Sequence, residues 1–318
     1  MSAKRYFEHF LDSHGCDIPS DKVDEAFQDC MKSSKPLAPL PMDSISQLFN
    51  QEGPRENTSE FHALEKASGF SYRTVIGEMM YSYITARPDI GFAITTLSKF
   101  SSCPSAYHYS KLKGVAKYLQ STIGWGICFK RPKKLEHLPK GEKYVLVEID
   151  EFKFPVNINV PILKCFVDAS HATDPRRMRS ITGLVFTFCG GAIAYKSKTQ
   201  KITSKSSTEA EFIAAYAAAQ MARYLRNILR ELGFLNDGFT EIFIDNESAL
   251  KIINDNTAPT ERTRHMDIRW FSIQDWREDG DIIMKHIAGT LNPSDQLTKV
   301  LGWVLHARHA RRYMGHYD

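Results

Sequence analysis

The sequence lacks the patterns that mark membrane proteins, secreted proteins and cysteine-based zinc proteins. No apolar run approaches the ~18 residues of a membrane-spanning helix, and the start, MSAKRYFEHF, holds no signal-peptide core. The six cysteines are scattered and form no CxxC pair, which predicts reduced thiols and no zinc site. We therefore expect an intracellular protein without a membrane partner.

The charge balance is only mildly basic. Lys and Arg number 41 against 37 Asp and Glu, which gives a formal net charge of +4. This excess permits a polyanionic partner but does not require one. The hydrophobic share of 42% is that of an ordinary globular protein, and 318 residues accommodate two domains or one domain with a sizeable extension.

The spacing of apolar residues divides the chain into three regions. Residues 1–130 are predicted to be mostly helical, residues 131–162 to form a linker or an extra hairpin, and residues 163–318 to form an α/β domain with a basic, disordered tail. In the third region three strands precede the first helix, and later strands alternate with helices. This order predicts an antiparallel meander that parallel strands continue through helical crossovers.

Two glutamates, Glu209 and Glu211, stand at the head of a long alanine-rich helix predicted from about Ser207 to Leu232. Residues two apart on a helix point in nearly opposite directions. The stripe through Glu209 is mostly polar, whereas the stripe through Glu211 continues with Ala215, Ala218, Ala222, Leu225 and Leu229. We therefore expect Glu211 to face the sheet and Glu209 to face water. A capping box is the open alternative, with Thr208 for Glu211 and with Ser206 for Glu209.

Three further carboxylates fall at the ends of predicted elements: Asp168, Asp245 and Asp295. Each has a structural alternative, since Asp168 suits a turn, Asp245 a helix cap and Asp295 the positive end of a helix dipole. Together with Glu211 they suggest a cluster, with Asp295 at its rim in the first turn of the last helix. Clustered carboxylates repel one another unless a cation joins them. Oxygen ligands select Mg²⁺ or Mn²⁺, and two such ions can drive phosphodiester hydrolysis.

Five motifs carry a resemblance to a known family. In order, FVDAS, SKTQKITSKSSTEAEFIAA, FIDNESAL, RHMDIRWFSIQDW and HIAGTLNPSDQLTK resemble the ribonuclease H domain of copia-type retrotransposon polyproteins. Upstream, YRTVIGEMMYSYITARPDIGFAITTLSKF and HYSKLKGVAKYLQSTIGWGICF are similar to the segment that joins the family's reverse transcriptase to that domain. The resemblance implies a ribonuclease H-like mixed five-stranded sheet with flanking helices, preceded by a mostly helical thumb- or connection-like region.

The resemblance also implies an activity and its residues. The metal-binding acidic quartet of the family falls on Asp168, Glu211, Asp245 and Asp295. The implied reaction is metal-dependent, endonucleolytic hydrolysis of the RNA strand of RNA–DNA hybrids with Mg²⁺ or Mn²⁺, in association with other parts of a retroelement polyprotein. The sequence contains no Tyr-x-Asp-Asp motif, so we expect no polymerase activity from this chain alone. The alternative is a non-catalytic remnant that binds nucleic acid or another retroelement protein.

Two further sets of residues are candidates for the same function. His286 lies nine residues before Asp295, where ribonucleases H often carry a mobile histidine that helps product or proton leave; a strand-edge surface histidine is the alternative. Lysines cluster between the predicted hairpin and the long helix, at Lys196, Lys198, Lys201 and Lys205. They suit a nucleic-acid backbone, and a merely soluble loop would show the same pattern.

Overall fold

A five-stranded mixed sheet organises the C-terminal half of the chain. The computed structural model describes residues 38–129, 144–149, 152–157, 163–234, 238–254 and 267–316. The strands of this sheet are β4 (Lys164–Asp174), β5 (Arg179–Phe188), β6 (Gly191–Thr199), β7 (Thr240–Ile244) and β8 (Ile282–His286). Their order across the sheet is β6-β5-β4-β7-β8.

The direction of the strands follows their connections. Short turns join β4 to β5 and β5 to β6, and both pairs are antiparallel. The β4–β7 and β7–β8 pairs are parallel, because helices cross over between those strands. The crossover helices are α6 (Ser207–Glu231), α7 (Glu247–Asn254) and α8 (Asp267–Glu278). This is the ribonuclease H-like arrangement, and the predicted fold class is confirmed.

The strand β4 is longer than its apolar run suggested, with 11 residues. Successive side chains of a strand point to opposite faces. Cys165 and Val167 belong to the core beneath α6, whereas Phe166 packs against a second core on the other face. Asp168 therefore lies in the middle of a strand and shares the face of Phe166, so its structural alternative, a turn residue, is excluded.

The long helix α6 buries the face that its alanines predict. Its buried residues include Glu211, Ala215, Ala218, Ala222 and Leu229, and they pack on β4 and β5. Small side chains allow the helix axis to lie close to the strands. Ser206 is the N-cap, and its hydroxyl accepts a hydrogen bond from the amide of Glu209.

Helices from the N-terminal region cover the opposite face of the sheet. They are α1 (Ser44–Asn50), α2 (Ser59–Ser68), α3 (Tyr72–Thr85), α4 (Gly91–Leu97) and α5 (Ala106–Ser121). Their apolar residues form one core with Val185 of β5, with Leu297, and with Trp303 and Tyr313 near the C-terminus. Residues 1–37, the first part of the region predicted to be mostly helical, lie outside the described residues.

The C-terminal tail was predicted to be disordered, and that prediction is wrong. Residues Trp303–Ala310 form the helix α9, and the strand β9 (Met314–His316) pairs antiparallel with β1 (Trp125–Ile127). The tail is ordered because Ala310, Tyr313 and Met314 are buried in the core shared with the N-terminal helices. A further antiparallel pair is formed by β2 (Tyr144–Ile149) and β3 (Phe152–Asn157).

A buried charged network fixes α5 against α9. Arg87 makes two hydrogen bonds to Asp89, of 2.9 and 2.7 Å, and both side chains are fully buried. Asp89 also accepts from the Tyr118 hydroxyl over 2.6 Å, and that hydroxyl lies 3.2 Å from Nε2 of His306. Burial lowers the pKa of His306 to about 4, so this histidine is neutral in the folded protein at neutral pH.

No helix in the described part of the chain is both long and apolar enough to cross a membrane.

Candidate active site

Three aspartates meet at the centre of the sheet. Asp168, Asp245 and Asp295 each offer a carboxylate oxygen, and these oxygens all lie within 4.8 Å of one another. Asp168 and Asp295 are buried and Asp245 is partly buried. The structure thus brings together three of the four carboxylates singled out from the sequence.

The register of two parallel strands places Asp245 beside Asp168. Val167 of β4 pairs with Ile244 of β7. The residues that follow them, Asp168 and Asp245, therefore lie side by side at the same level of the sheet. The structural alternative for Asp245 was a helix cap. Instead, Asn246 caps α7, since its Oδ1 accepts from the amide of Ala249 over 2.9 Å.

A short 3-10 helix, Pro293–Leu297, holds Asp295. The expectation that Asp295 lies at the rim in the first turn of the last helix is wrong, because the residue is only 5% exposed and α9 begins at Trp303. Asn292 anchors the segment to the sheet: its Nδ2 donates to the Val167 carbonyl over 3.0 Å, and its Oδ1 accepts from Ser294.

Gly183 permits the close approach of this segment. It pairs with Asp168 across β4 and β5. A Cβ at this position would lie 2.5 Å from Cγ2 of Thr298 and 2.9 Å from Cβ of Leu297. Because glycine has no Cβ, the segment that carries Leu297 and Thr298 can pack directly on β5 beside Asp168.

Glu211 completes the site from α6. Its Oε1 accepts a hydrogen bond of 3.2 Å from the amide of Ala169, and its Oε2 is buried without a hydrogen-bond partner among the described residues. Burial, followed by the charges of Asp168 and Asp245, raises the pKa of Glu211 to about 10. The expectation that Glu211 faces the sheet is confirmed, and its capping alternative is excluded.

The companion expectation for Glu209 is wrong. Glu209 is only 6% exposed, and its Oε2 accepts from the amide of Lys205 over 2.6 Å. The Ser206 hydroxyl accepts a hydrogen bond from the amide of Glu209. Together the two bonds hold the Glu209 carboxylate against the residues that precede α6. The helical stripe predicted a solvated Glu209, but the chain before the helix covers the carboxylate, and Ser206 is the cap that the alternative named.

Lys299 and Thr298 belong to the site, and the sequence argument missed both. The Lys299 ammonium lies 2.9 Å from Oδ1 of Asp295 and 3.7 Å from Oδ2 of Asp168. Burial would lower the pKa of Lys299, but the charges of Asp168 and Asp295 outweigh it and raise that pKa. The Thr298 hydroxyl donates to Oδ2 of Asp168. The spacing of four between Asp295 and Lys299 was the available signal.

The donor set fits a divalent cation. Burial and the charge of Asp168 raise the pKa of Asp295 to about 7 and raise the pKa of Asp245. Part of each shift reflects the repulsion between carboxylates that share one site. A cation would relieve this repulsion, and Oε2 of Glu211 is a buried oxygen without a hydrogen-bond partner among the described residues. Ligands that are all oxygen suit Mg²⁺ or Mn²⁺.

The remaining candidates fall in two other places. His286 ends β8 beside Ile244 in register and is exposed, with Nε2 3.9 Å from Glu247. Lys196 and Lys198 lie on the edge strand β6, and Lys201 and Lys205 lie on the loop that leads to α6. Burial and the charges of Lys198 and Lys201 lower the pKa of Lys196, so these lysines repel one another across that edge.

Comparisons with known proteins give related polyproteins. The chain is 32% identical over 230 residues to the retrovirus-related Pol polyprotein from transposon TNT 1-94 of Nicotiana tabacum, which covers 72% of this chain and 15% of that protein. It is also 32% identical over 154 residues to the secreted RxLR effector protein 161 of Plasmopara viticola, covering 48% of this chain and 90% of that protein. No protein-family model matches the sequence.

Among solved structures, LC11-RNase H1, isolated from compost by a metagenomic approach, superposes with a TM-score of 0.35 at 17% identity. The superposition covers 44% of this chain and 94% of that chain.

Proposed function

Because the chain belongs to the family of retrovirus-related Pol polyproteins from transposons, we propose that it is a ribonuclease H of such an element. The proposed reaction is Mg²⁺- or Mn²⁺-dependent, endonucleolytic hydrolysis of the RNA strand of RNA–DNA hybrids. The observation that carries the proposal is the group of three aspartates within 4.8 Å of one another, with Glu211 hydrogen-bonded to the next residue of β4.

In this proposal Asp168, Glu211, Asp245 and Asp295 hold the metal. When bound, the ions would activate a water and stabilise the leaving oxygen of the phosphodiester. Thr298 fixes the orientation of Asp168 by donating to Oδ2. A fixed ligand is already in the geometry that the reaction needs, and it costs no reorganisation at the moment of reaction.

Lys299 has two roles in the proposed mechanism, one before metal binds and one after. Its ammonium offsets part of the carboxylate charge, which keeps the folded protein stable before the metal arrives. The same ammonium can turn to an incoming phosphate once metal neutralises the carboxylates, since its side chain is 41% exposed.

His286 lies beside the site and is solvent-exposed. We assign it the transfer of a proton to or from solvent as product leaves, because an imidazole can carry a proton near neutral pH. The four lysines on the β6 edge and the following loop would lie along the phosphate backbone of the hybrid.

A non-catalytic nucleic-acid-binding role is the second candidate. Lys299 favours it, because an ammonium 2.9 Å from Asp295 supplies some of the positive charge that a metal would otherwise bring. Such a protein would bind hybrid and leave it intact.

A substrate panel separates the two candidates. Purified protein is incubated with an end-labelled RNA–DNA hybrid, with each single strand and with double-stranded DNA, in Mg²⁺ and in EDTA. Internal cuts in the RNA of the hybrid alone, in Mg²⁺ alone, support the ribonuclease H. Binding of the hybrid without any cut in Mg²⁺ or Mn²⁺ supports the second candidate.

A further inference from the structure

A basic cavity lies apart from the carboxylates, between the N-terminal helices and the turn that joins β4 to β5. Its volume is about 470 Å³. Among the described residues, five cationic side chains and a single carboxylate, Asp174, line it; the cations are Lys99, Arg176, Arg177, Arg179 and Lys201. Among the four lysines proposed from the sequence to contact nucleic acid, Lys201 contributes to this cavity.

The carboxylate of Asp174 already has hydrogen-bond and ion-pair partners within the protein. Oδ1 of Asp174 accepts hydrogen bonds from the amides of Arg176 and Arg177, of 3.1 and 3.3 Å. Its Oδ2 pairs with the ammonium of Lys99 over 3.1 Å. Within the described ranges of the chain, no carboxylate lies at salt-bridge distance from Arg176, Arg177, Arg179 or Lys201. The cavity therefore holds a concentrated positive charge that the carboxylates of the described residues leave largely uncompensated.

Two of the guanidinium groups are held in place by neutral partners. Arg176 donates to the Phe49 carbonyl over 2.8 Å and lies over the Phe49 and Phe100 rings, 6.0 and 5.7 Å from their centroids. Arg179 donates to the Lys201 carbonyl over 2.5 Å. These contacts order the cations without neutralising them, and a pre-ordered site loses less side-chain entropy when an anion binds.

The aromatic rings of the cavity cannot serve as stacking platforms. Phe49 and Phe100 are only 6% and 2% exposed, so a base has no ring face to stack on. Cations without accessible rings suit phosphate groups, which fix the position of a nucleic acid and carry no sequence information. The chemistry of the cavity therefore matches a polynucleotide backbone.

We propose that this cavity is a second contact for the substrate, which binds backbone phosphates of the RNA–DNA hybrid away from the cleavage site. The inference rests on the proposed ribonuclease H function. The strand β4 joins the two places, and six residues from Asp168 to Asp174 span at most about 20 Å. At ~3.4 Å per nucleotide the cavity therefore lies within about six base pairs of the scissile phosphate.

The first test measures binding without chemistry. Arg177 and Lys201 are exposed and have no side-chain partner in the described structure, so Arg177→Gln/Lys201→Gln removes two charges with little effect on the fold. Lys66→Gln/Lys117→Gln makes the same charge change at exposed positions of α2 and α5. Binding of each variant to a labelled 20-base-pair hybrid is measured by fluorescence anisotropy in EDTA, at salt concentrations from 50 to 200 mM.

The cavity variant should bind more weakly at low salt, and its slope of log K against log salt should be shallower by about 1 to 2, because each lost phosphate contact removes about 0.9. The single variants Arg177→Gln and Lys201→Gln should each account for about half of the change in slope. The control, Lys66→Gln/Lys117→Gln, should keep the wild-type slope. Equal losses in both double variants, or an unchanged slope in the cavity variant, would overturn the proposal.

The second test ties the cavity to cleavage. In Mg²⁺, Arg177→Gln alone should cut a 20-base-pair hybrid with a kcat/KM below that of wild type. Its loss should be smaller on a 6-base-pair hybrid, because a short duplex cut near its middle extends only about three base pairs toward the cavity. An equal loss on both lengths would contradict a distant contact. If the wild type cuts neither duplex, the proposed function fails, and the anisotropy result still decides whether the cavity binds hybrid.

Discussion

The backbone amide of Ala169 donates a hydrogen bond to Oε1 of Glu211 over 3.2 Å. This bond joins the helix α6 to the strand β4 one residue after Asp168, and it brings the fourth carboxylate to the three aspartates. Because the pKa of Glu211 is raised to about 10 by burial and by the charges of Asp168 and Asp245, the metal-free folded protein keeps this carboxyl protonated at neutral pH.

Glu211→Gln should leave the metal-free protein about as stable as the wild type, because glutamine resembles the protonated acid. Its activity should fall by more than about 100-fold, since losing a group that merely orients a metal ligand already costs about 10- to 100-fold. Urea denaturation and hybrid cleavage across a Mg²⁺ titration measure the two effects. Near-normal cleavage by Glu211→Gln would remove Glu211 from the metal site.

Glu209→Gln is the matched control two residues away. Glutamine keeps an oxygen that can accept from the amide of Lys205 but loses the negative charge at the start of α6. The expected loss of stability is about 1 kcal/mol or less, and cleavage at 25 °C should stay within a few-fold of wild type. A variant that folds but does not cut would show that Glu209 takes part in catalysis.

Stability without metal should fall as the pH rises. The pKa of Asp295 is raised from 3.8 to about 7, chiefly by burial, so the folded state holds this proton more tightly than the unfolded chain. Its contribution is present below pH 4 and is lost as pH rises through about 7. Between pH 5 and 8 in EDTA, the wild type should therefore lose thermal stability relative to Asp295→Asn.

Saturating Mg²⁺ should reverse this trend in the wild type, because metal binds the ionised carboxylates. If the stabilities of the wild type and Asp295→Asn change in parallel from pH 5 to 8 in EDTA, the raised pKa of Asp295 is contradicted.

Gly183→Ala should weaken both folding and cleavage. The added Cβ would meet Thr298 at 2.5 Å and Leu297 at 2.9 Å, which forces the segment that carries Asp295 away from β5. Overpacking of this kind costs about 1–3 kcal/mol, and the displaced ligand should lower activity at temperatures where the variant is folded.

Gly114→Ala is the control for this glycine. It lies in the helix α5 with open space at its Cβ position, so the substitution should stabilise the protein by about 0.5–1 kcal/mol. Thermal melting compares the two variants, and equal stability of Gly183→Ala and the wild type would show that the segment is not packed as described.

His286→Ala should slow multiple turnover. The side chain is exposed, so the change in stability should be within about 0.5 kcal/mol. If the imidazole helps product or proton leave, steady-state kcat should fall by about 100-fold, the lower end of what a positioned acid or base contributes, while the first turnover changes less. His62→Ala, an exposed histidine on α2, should have no effect. Identical losses in single and multiple turnover would contradict a role in release.

The sheet and the meeting of Asp168 with Asp245 could be predicted because they depend on the periodicity of the strands and helices, whereas the position of Asp295 was predicted wrongly. Strand and helix periodicity fixes the order of elements, and Asp168 and Asp245 meet because their strands are parallel neighbours. The burial of Glu209 depends on the loop before α6, which has no periodic pattern. Lys299 enters the site because a 3-10 helix replaces the expected first turn of the final α-helix.

Long-range packing limits the prediction in a second way. The pairing of β1 with β9 joins residues near Trp125 to residues near His316, and no local signal specifies that partner. The basic cavity likewise requires the β4–β5 turn to meet the N-terminal helices, so its cations are scattered in the sequence and gather only in the fold.

The central claim is that the carboxylate cluster binds a divalent metal and cuts RNA in a hybrid. The most direct measurement follows cleavage of a labelled RNA–DNA hybrid by the wild type, Asp168→Asn and Asp245→Asn across a Mg²⁺ titration, with circular dichroism to confirm that each variant is folded. We predict Mg²⁺-dependent cutting of the RNA strand by the wild type, none in EDTA and none by either folded variant. Cutting by the wild type in EDTA, or by both variants at the wild-type rate, would contradict the account.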